Sequence, residues 1–556
     1  RPPYFVFISI FRRTVLNPPC AFFNSHSILF KKTHTVVLNR IVLSWGMDLT
    51  DKSEMLILSK SRLDPHLRGF IMAFNSGSPP ATNLFWVLSA FFWVFLGASG
   101  CSGSFQRSAE ISSKSPPHII LIVADDLGYS DLGFTGVSDI STPQLDRIAM
   151  EGIVCTDAHV VASVCAPSRA GLLTGRYPQT QGFECNLGGA GTGLLAGTTT
   201  LASRLKSVGY QTALVGKWHL GAQSDNHPRS LGFDHFSGIL GGSRSYFPVL
   251  EKPLSKSRLL ERDGERVPES SFSYFTDWIT DEGVRLIQEN TTEKPLFLML
   301  SYTAPHTPMH ARPDLLEKYT SIKNQKRRKY AAMVAALDEG VGKIRSALSR
   351  KKIEKDTLIV FLSDNGGATN NASDNGTWRG MKGSKWEGGH RVPFVFHWPG
   401  RFDSGENSSL ISSLDLTPTF LAAAGSPTPT PSPELDGLNL LPLLEDSTHV
   451  ISRETLYWRR TVAAAVRQGD WKLIRIEEEN SDYKKPILVQ LSLDPGETTN
   501  RATEEPERVK HLLGLLKEWE LELTPPRWET GDIWRRYQRQ KHEIDLLGRE
   551  EERKLP

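Results

Sequence analysis

Continuous apolar runs of strand length, each closing on a polar cluster, recur four times between residues 118 and 367. The first, His118–Ala124, reads His-Ile-Ile-Leu-Ile-Val-Ala and stops at Asp125-Asp126. Residues 210–215 lead into Gly216-Lys217-Trp218-His219, residues 295–302 into Ala304-Pro305-His306, and residues 357–362 into Ser363-Asp364-Asn365-Gly366-Gly367. Runs that are apolar at every position, not at alternate ones, predict strands covered on both faces. Helical periodicity fills the intervals, as in 199–208 and 330–348. Strands alternating with helices predict an α/β fold: a large, mostly parallel sheet sandwiched by helices. Such sheets bind ligands beyond the carboxyl ends of their strands, where all four polar clusters fall.

The pattern changes near residue 446. Short strand-like pieces around 454–458, 463–467, 471–476 and 487–491, then a helical stretch over 506–522, predict a smaller domain of antiparallel sheet plus helix. The proline-rich run 426–433 reads as a surface loop near the boundary. These signals divide the chain into a catalytic domain over 116–445, a small α+β subdomain over 446–525 and a charged tail over 526–556, disordered or set against another subunit.

Residues 1–71 carry no sustained periodicity and read as a non-native or disordered extension. Residues 84–98 are apolar and precede Ser99-Gly100-Cys101, so 72–115 reads as a signal peptide or lipoprotein-type anchor and linker, with Met72 as the start. No Lys or Arg lies in 72–83, unlike the usual export signal. Membrane attachment through this segment is the alternative, although about 15 apolar residues are marginal for spanning. Each version predicts an exported protein: periplasmic, extracellular or an outer-surface lipoprotein if bacterial, in the secretory pathway or lysosome if eukaryotic.

A net charge of +3 over 556 residues, with no basic block interleaved with aromatics, argues against a nucleic-acid partner. The five cysteines lack metal-ligand spacing and are too few for a disulfide framework. One of them stands in a distinctive context, Cys165-Ala166-Pro167-Ser168-Arg169, followed by Ala170-Gly171-Leu172-Leu173-Thr174-Gly175-Arg176.

This segment, together with the four strand-end clusters, resembles the maturation and active-site segment of type I, formylglycine-dependent sulfatases, arylsulfatase-like members of the alkaline phosphatase superfamily. The resemblance runs from about 117 to about 525. It implies that a formylglycine-generating enzyme oxidises Cys165 to an aldehyde during maturation. It also implies that Asp125, Asp126, Asp364 and Asn365 bind one calcium ion together with the modified Cys165. Hard oxygen ligands without His or thiolate suit calcium or magnesium on physical grounds; the family preference selects calcium. Arg169 would orient the nucleophile, Lys217 and Lys382 would hold the sulfate, His306 would protonate the leaving alcohol, and His219 would take the proton that releases sulfate. Lys382 comes from Lys382-Gly383-Ser384-Lys385-Trp386-Glu387-Gly388-Gly389, where Lys385 is the rival.

The implied activity is sulfuric ester hydrolysis on a sulfated small molecule or glycan. Loops over 183–197 and 238–268 are candidates for choosing the substrate, with Arg244 and Tyr246 as sugar contacts or a solvated turn. Asn290, Asn371, Asn375 and Asn407 fit the glycosylation pattern. Two rivals stand beside this reading: a phosphate or phosphonate ester hydrolase of the same superfamily, and an inactive sulfated-glycan-binding member.

Overall fold

The computed structural model describes residues 115–544, apart from positions 190, 252, 292, 447, 450, 452 and 530 and the stretches 427–433 and 478–485. The expectations for residues 1–114, including the export or anchor segment, fall outside the described residues, as does nearly all of the proline-rich loop. Among the described residues no helix is long and apolar enough to cross a membrane.

The four apolar runs form strands His118–Ala124, Gln211–Lys217, Leu296–Ser301 and Thr357–Ser363. They lie at the centre of a ten-stranded sheet in the order Thr357–Ser363, His118–Ala124, Leu296–Ser301, Gln211–Lys217, all parallel. Alternation within one run explains why every position is apolar. Ile120, Ile122 and Ala124 pack toward the layer of helices Phe275–Glu289 and Gln325–Arg350, whereas Ile119, Leu121 and Val123 pack toward Cys165–Thr174, Leu201–Ser207 and Leu416–Ala423. Beside Thr357–Ser363 the strand Phe394–His397 runs antiparallel to both its neighbours, making the sheet mixed.

Register places the chemistry. Ala124 lies opposite Ser363 and Val123 opposite Ser301, while Gly216 also lies opposite Ser301. The strands therefore end level, and the residues just beyond them meet above one edge of the sheet.

The C-terminal part forms a separate antiparallel sheet of Thr455–Arg460, Ala463–Gln468, Trp471–Ile476 and Ile487–Gln490. Helix Pro506–Leu521 covers one face with Leu512, Leu516 and Trp519; the other face packs around Trp386 and Trp458. At this junction Trp458 stacks on His390 with ring centroids 4.0 Å apart and donates from its indole to the Val160 carbonyl.

Of the segment read as a charged, disordered or intersubunit tail, the described residues up to 544 are instead built onto their own chain. Arg527 and Trp528 bond the carbonyls of Gly182 and Asn186, and residues Asp532–Ile544 form a helix. Its residues Gln538, Lys541 and His542 are buried. The i, i+3, i+4 spacing of these three makes one docking face, but all three are polar, so hydrophobic periodicity could not reveal it.

Candidate functional site

Two side chains enter the site from strained backbone. Asp126 and His219 have φ of 64° and 62°, in the left-handed region that residues other than glycine rarely adopt. Both lie within two residues of the end of their strands. Cys165 opens a helix, Cys165–Thr174, in which every residue is buried, and Arg169 follows one turn later. The unpaired amides of a helix start favour negative charge nearby.

Above the strand ends three carboxylates face three cations. Lys217 Nζ lies 2.7 Å from Asp125 Oδ2, Lys382 Nζ 2.7 Å from Asp126 Oδ1, and Arg169 Nε 2.8 Å from Asp364 Oδ2. Cys165 Sγ sits among them, 2.9 Å from Lys382 Nζ, 3.5 Å from Asp125 Oδ1 and 3.8 Å from Asp126 Oδ1. Burial opposes ionisation of Asp125, yet Lys217, His306, Arg169 and Lys382 outweigh it and hold the carboxyl well below the usual range. Burial and the neighbouring Asp125 push the Asp364 carboxyl up to about 6 against Arg169. Burial also pushes the Cys165 thiol up to about 12 despite Lys217 and Lys382, so an unmodified thiol here is a poor nucleophile.

The two histidines differ. His306 Nδ1 donates to the Thr307 carbonyl at 2.6 Å, which leaves Nε2, 3.5 Å from Asp126 Oδ2, as the nitrogen that gains or loses a proton. Burial lowers its pKa, opposed by Asp125 and Asp126. His219 is held well below its ordinary value by burial and then by Lys217 and Arg169, so its imidazole is neutral. Its Nδ1 is buried without a hydrogen-bond partner. Gly242 makes room for the ring, since a Cβ there would lie 2.6 Å from His219 Nε2.

Side chains of Asp125, Asp126, Cys165 and His306 place ligand atoms within 4.8 Å of one another. Asn365 joins them, its amide nitrogen 2.7 Å from Asp126 Oδ1 and its Oδ1 buried without a partner. A half-turn of that amide would present its oxygen beside the Asp126 carboxylate. The donor set is oxygen-rich and fits a hard divalent cation. The His159, Glu387 and His390 cluster does not fit one. Lys472 lies 2.9 Å from Glu387 Oε1 and 3.2 Å from His390 Nε2, and Arg467 lies 3.0 Å from His159 Nε2. Two fixed cations already serve those ligands, and the cluster is an ion-pair network.

A model of the sulfatase family matches residues 117–426, and one described as N-sulphoglucosamine sulphohydrolase, C-terminal, matches residues 381–520. The chain belongs to the sulfatase family. As a member it is a sulfuric ester hydrolase, EC 3.1.6.-. Mouse arylsulfatase J is 30% identical over 77% of this chain and 79% of its own length. Rat N-acetylgalactosamine-6-sulfatase is 33% identical over 65% of this chain and 71% of its own. The solved structure of Ps i-CgsB in complex with k-i-k-neocarrahexaose is 34% identical, with a TM-score of 0.70, over 79% of this chain and 99% of that one.

In this sulfatase the lysine loop separates its two candidates. Lys382 touches Cys165 and Asp126, whereas Lys385 turns away to Ser163 Oγ at 3.4 Å, where burial and Arg460 bring its pKa down to about 7. Asp125, Asp126, Cys165, Arg169, Lys217, His219, His306, Asp364, Asn365 and Lys382 are thus all brought to one place.

Arg244 and Tyr246, read as sugar contacts or a solvated turn, are both buried, which removes the solvated turn. Arg244 is buried against Glu269, and the Tyr246 hydroxyl donates to the carbonyls of Thr303 and His306. Tyr246 thus shapes the His306 loop from behind. Three of the glycosylation matches are equally internal: Asn290, Asn371 and Asn375 are buried. Asn371 donates to the Asp126 carbonyl, and Asn375 accepts from the amides of Tyr129 and Gly367. Sequence reading missed their positioning role, and also Ser301, which accepts from Arg169 at 2.5 Å and donates to the Lys217 carbonyl at 2.6 Å. A hydroxyl closing an apolar run was the available signal.

Cys165, His219 and His306 open into a cavity of about 620 Å³ whose walls include Asn186, Gly241 and Arg258 from the two loops read as substrate-selecting.

Proposed function

We propose that this sulfatase hydrolyses a sulfate monoester on a carbohydrate, using a formylglycine derived from Cys165 and one bound calcium ion, in an exported protein. The observation that carries the reading is the position of Cys165 Sγ, within 2.9 to 3.8 Å of Lys382, Asp125 and Asp126. Cavity size supports a sugar, as does the likeness to a structure holding a neocarrahexaose.

The hydrated formyl group would supply an oxygen nucleophile for sulfur and a second hydroxyl whose deprotonation frees the sulfate. Asp125, Asp126, Asp364 and Asn365 would hold the cation, which lowers the cost of ionising oxygen and neutralises sulfate charge. Lys382 and Lys217 offer point charges to the sulfate oxygens. Arg169 fixes Asp364 through its Nε and is itself fixed by Ser301. His306, with Nδ1 committed to a carbonyl, carries its exchangeable proton on Nε2 for the departing alcohol oxygen. Its lowered pKa makes the protonated ring a stronger acid. Neutral His219 is ready to accept a proton on the cavity side.

The test has two parts. Mass spectrometry of the peptide containing Cys165 should find the aldehyde, and sulfate release from a panel of defined sulfated sugars should be selective. A fully active protein with an unoxidised thiol, or a flat response across the sugars, would overturn the corresponding half of the proposal.

A further inference from the structure

A second limb of the cleft, a cavity of about 470 Å³, leaves the reaction centre on the side of Asp126, His306 and Lys382. Asn186 and Leu187 line both limbs, and the second adds a wall that the first lacks. It carries Arg460 from the small sheet, with Trp534, Lys541 and Glu529 from the C-terminal segment.

That wall is positively charged. Arg460 is 8% exposed and makes no ion pair among the described residues; its side chain meets the neutral Cys185 thiol, and its Nε is buried without a hydrogen-bond partner. Lys541 Nζ is anchored by the Lys382 carbonyl at 2.8 Å. The two cations converge over Gly383: a Cβ on that residue would lie 3.1 Å from Arg460 Nη1 and 3.4 Å from Lys541 Nζ. Glu529, the carboxylate on this wall, is ion-paired with Arg535. Burying an arginine without a counter-ion is costly, and Lys385 nearby adds to the cost, since Arg460 helps to lower its pKa. An arriving anion would relieve that cost and meet a planar fork of donors. Trp534, 43% exposed, adds a flat apolar face on the same limb. Flat aromatic surface beside a few fixed polar groups is the usual lining of a site for an organic ligand.

We propose that Arg460, Lys541 and Trp534 form a subsite for the sugar next to the one being desulfated, and that this sugar carries a sulfate ester of its own. The subsite rests on the carbohydrate sulfatase function proposed above. It makes the substrate an oligosaccharide sulfated on adjacent sugars, with the chain running out through the limb that the C-terminal helix closes.

The test uses the matured full-length protein and, for each sugar of the panel above, two tetrasaccharides that share one sulfate ester, one of them also sulfated on the adjacent sugar. Of the pair it cleaves, the wild type should favour the disulfated compound by about tenfold or more in kcat/KM. Arg460→Gln and, separately, the exposed Trp534→Ala should each lower that ratio by about fivefold or more. A ratio does not depend on the fraction of enzyme that is folded, so partial instability of the Arg460 variant cannot imitate the result. A wild-type ratio near one, or a ratio that neither variant moves, overturns the subsite alone. Release of sulfate from none of the tetrasaccharides by the wild type overturns both the subsite and the function beneath it.

Discussion

The backbone N–H of Lys385 donates to Nε2 of His542 at 3.0 Å, tying the loop that carries Lys382 to a helix 157 residues further along the chain. The other ring nitrogen of His542 donates to the Gln538 carbonyl at 2.7 Å. Both nitrogens are committed, one as acceptor and one as donor, so the docked imidazole is neutral. Burial, followed by the charges of Lys385, Lys541 and Lys472, brings its pKa from 6.5 down to about 3.

Docking of helix Asp532–Ile544 should therefore depend on pH. A depressed folded-state pKa means that the stabilisation is complete above 6.5 and is lost as pH falls toward 3, by roughly 1.4 kcal/mol per pH unit. Amide hydrogen exchange, corrected for intrinsic rates, should show this helix opening more readily at pH 5 than at pH 7.5, with helix Gln325–Arg350 unchanged. In His542→Gln the difference should vanish. Equal protection at both pH values in the wild type would show that the histidine does not govern docking.

The two lysines of one loop should separate in kinetics. Lys382→Ala removes a cation that touches Cys165 and Asp126, and should lower kcat by about a hundredfold to a thousandfold, as loss of a transition-state donor does. Lys385→Met replaces a buried, weakly basic amine with an apolar chain of similar volume. It should keep kcat within about tenfold and leave stability near or above that of the wild type. The opposite order would reassign the sulfate-binding lysine.

Cation binding should be visible without any substrate. After chelation with EGTA, calcium at about a hundredfold above its Kd should stabilise the protein by about 2.7 kcal/mol, read as a rise in Tm. Asn365→Ala removes one of the oxygen donors and should shift that titration to higher calcium. A melting temperature indifferent to calcium would leave the acidic cluster without its assigned ligand.

Lys472 is fully buried between Glu387 and Glu497, 2.9 Å from each. Burial and the neighbouring Glu387 already push the Glu497 carboxyl up to about 7 against this lysine. Lys472→Ala should cost about 3 to 5 kcal/mol in urea unfolding by leaving the buried Glu497 carboxyl without its lysine, while Glu387 keeps Arg391 at 3.1 Å. A loss below about 1 kcal/mol would mean that solvent or a neighbouring cation replaces the ammonium.

The central strands were legible because each is a local, continuous signal: the first run is observed over the predicted residues, His118–Ala124, and the others differ by one or two. Helix Gln325–Arg350 begins five residues before the predicted 330 because Asn324 caps it, accepting from the amides of Lys326 and Arg327, and its charged first turn carries no apolar signal. The convergence of the site followed from topology, since strands that end level must bring their next residues together. The family's spacing, a lysine five residues before the glutamate, favours Lys382 over Lys385; what sequence does not show is why the two diverge, which comes from a loop held by Ser163 and His542. The docked tail was hidden for the same reason as the Glu387 network: polar side chains buried by distant partners look, in sequence, like solvated surface.

Cys165 is 1% exposed and heads a helix with no residue at the surface. The sulfur faces the cavity, but a catalyst that must grip the backbone on both sides of Cys165 finds that backbone buried in the folded protein. The proposed oxidation of Cys165 therefore belongs to the interval when the segment is still extended, and the pace of folding, not the finished molecule, decides how much of the protein becomes competent.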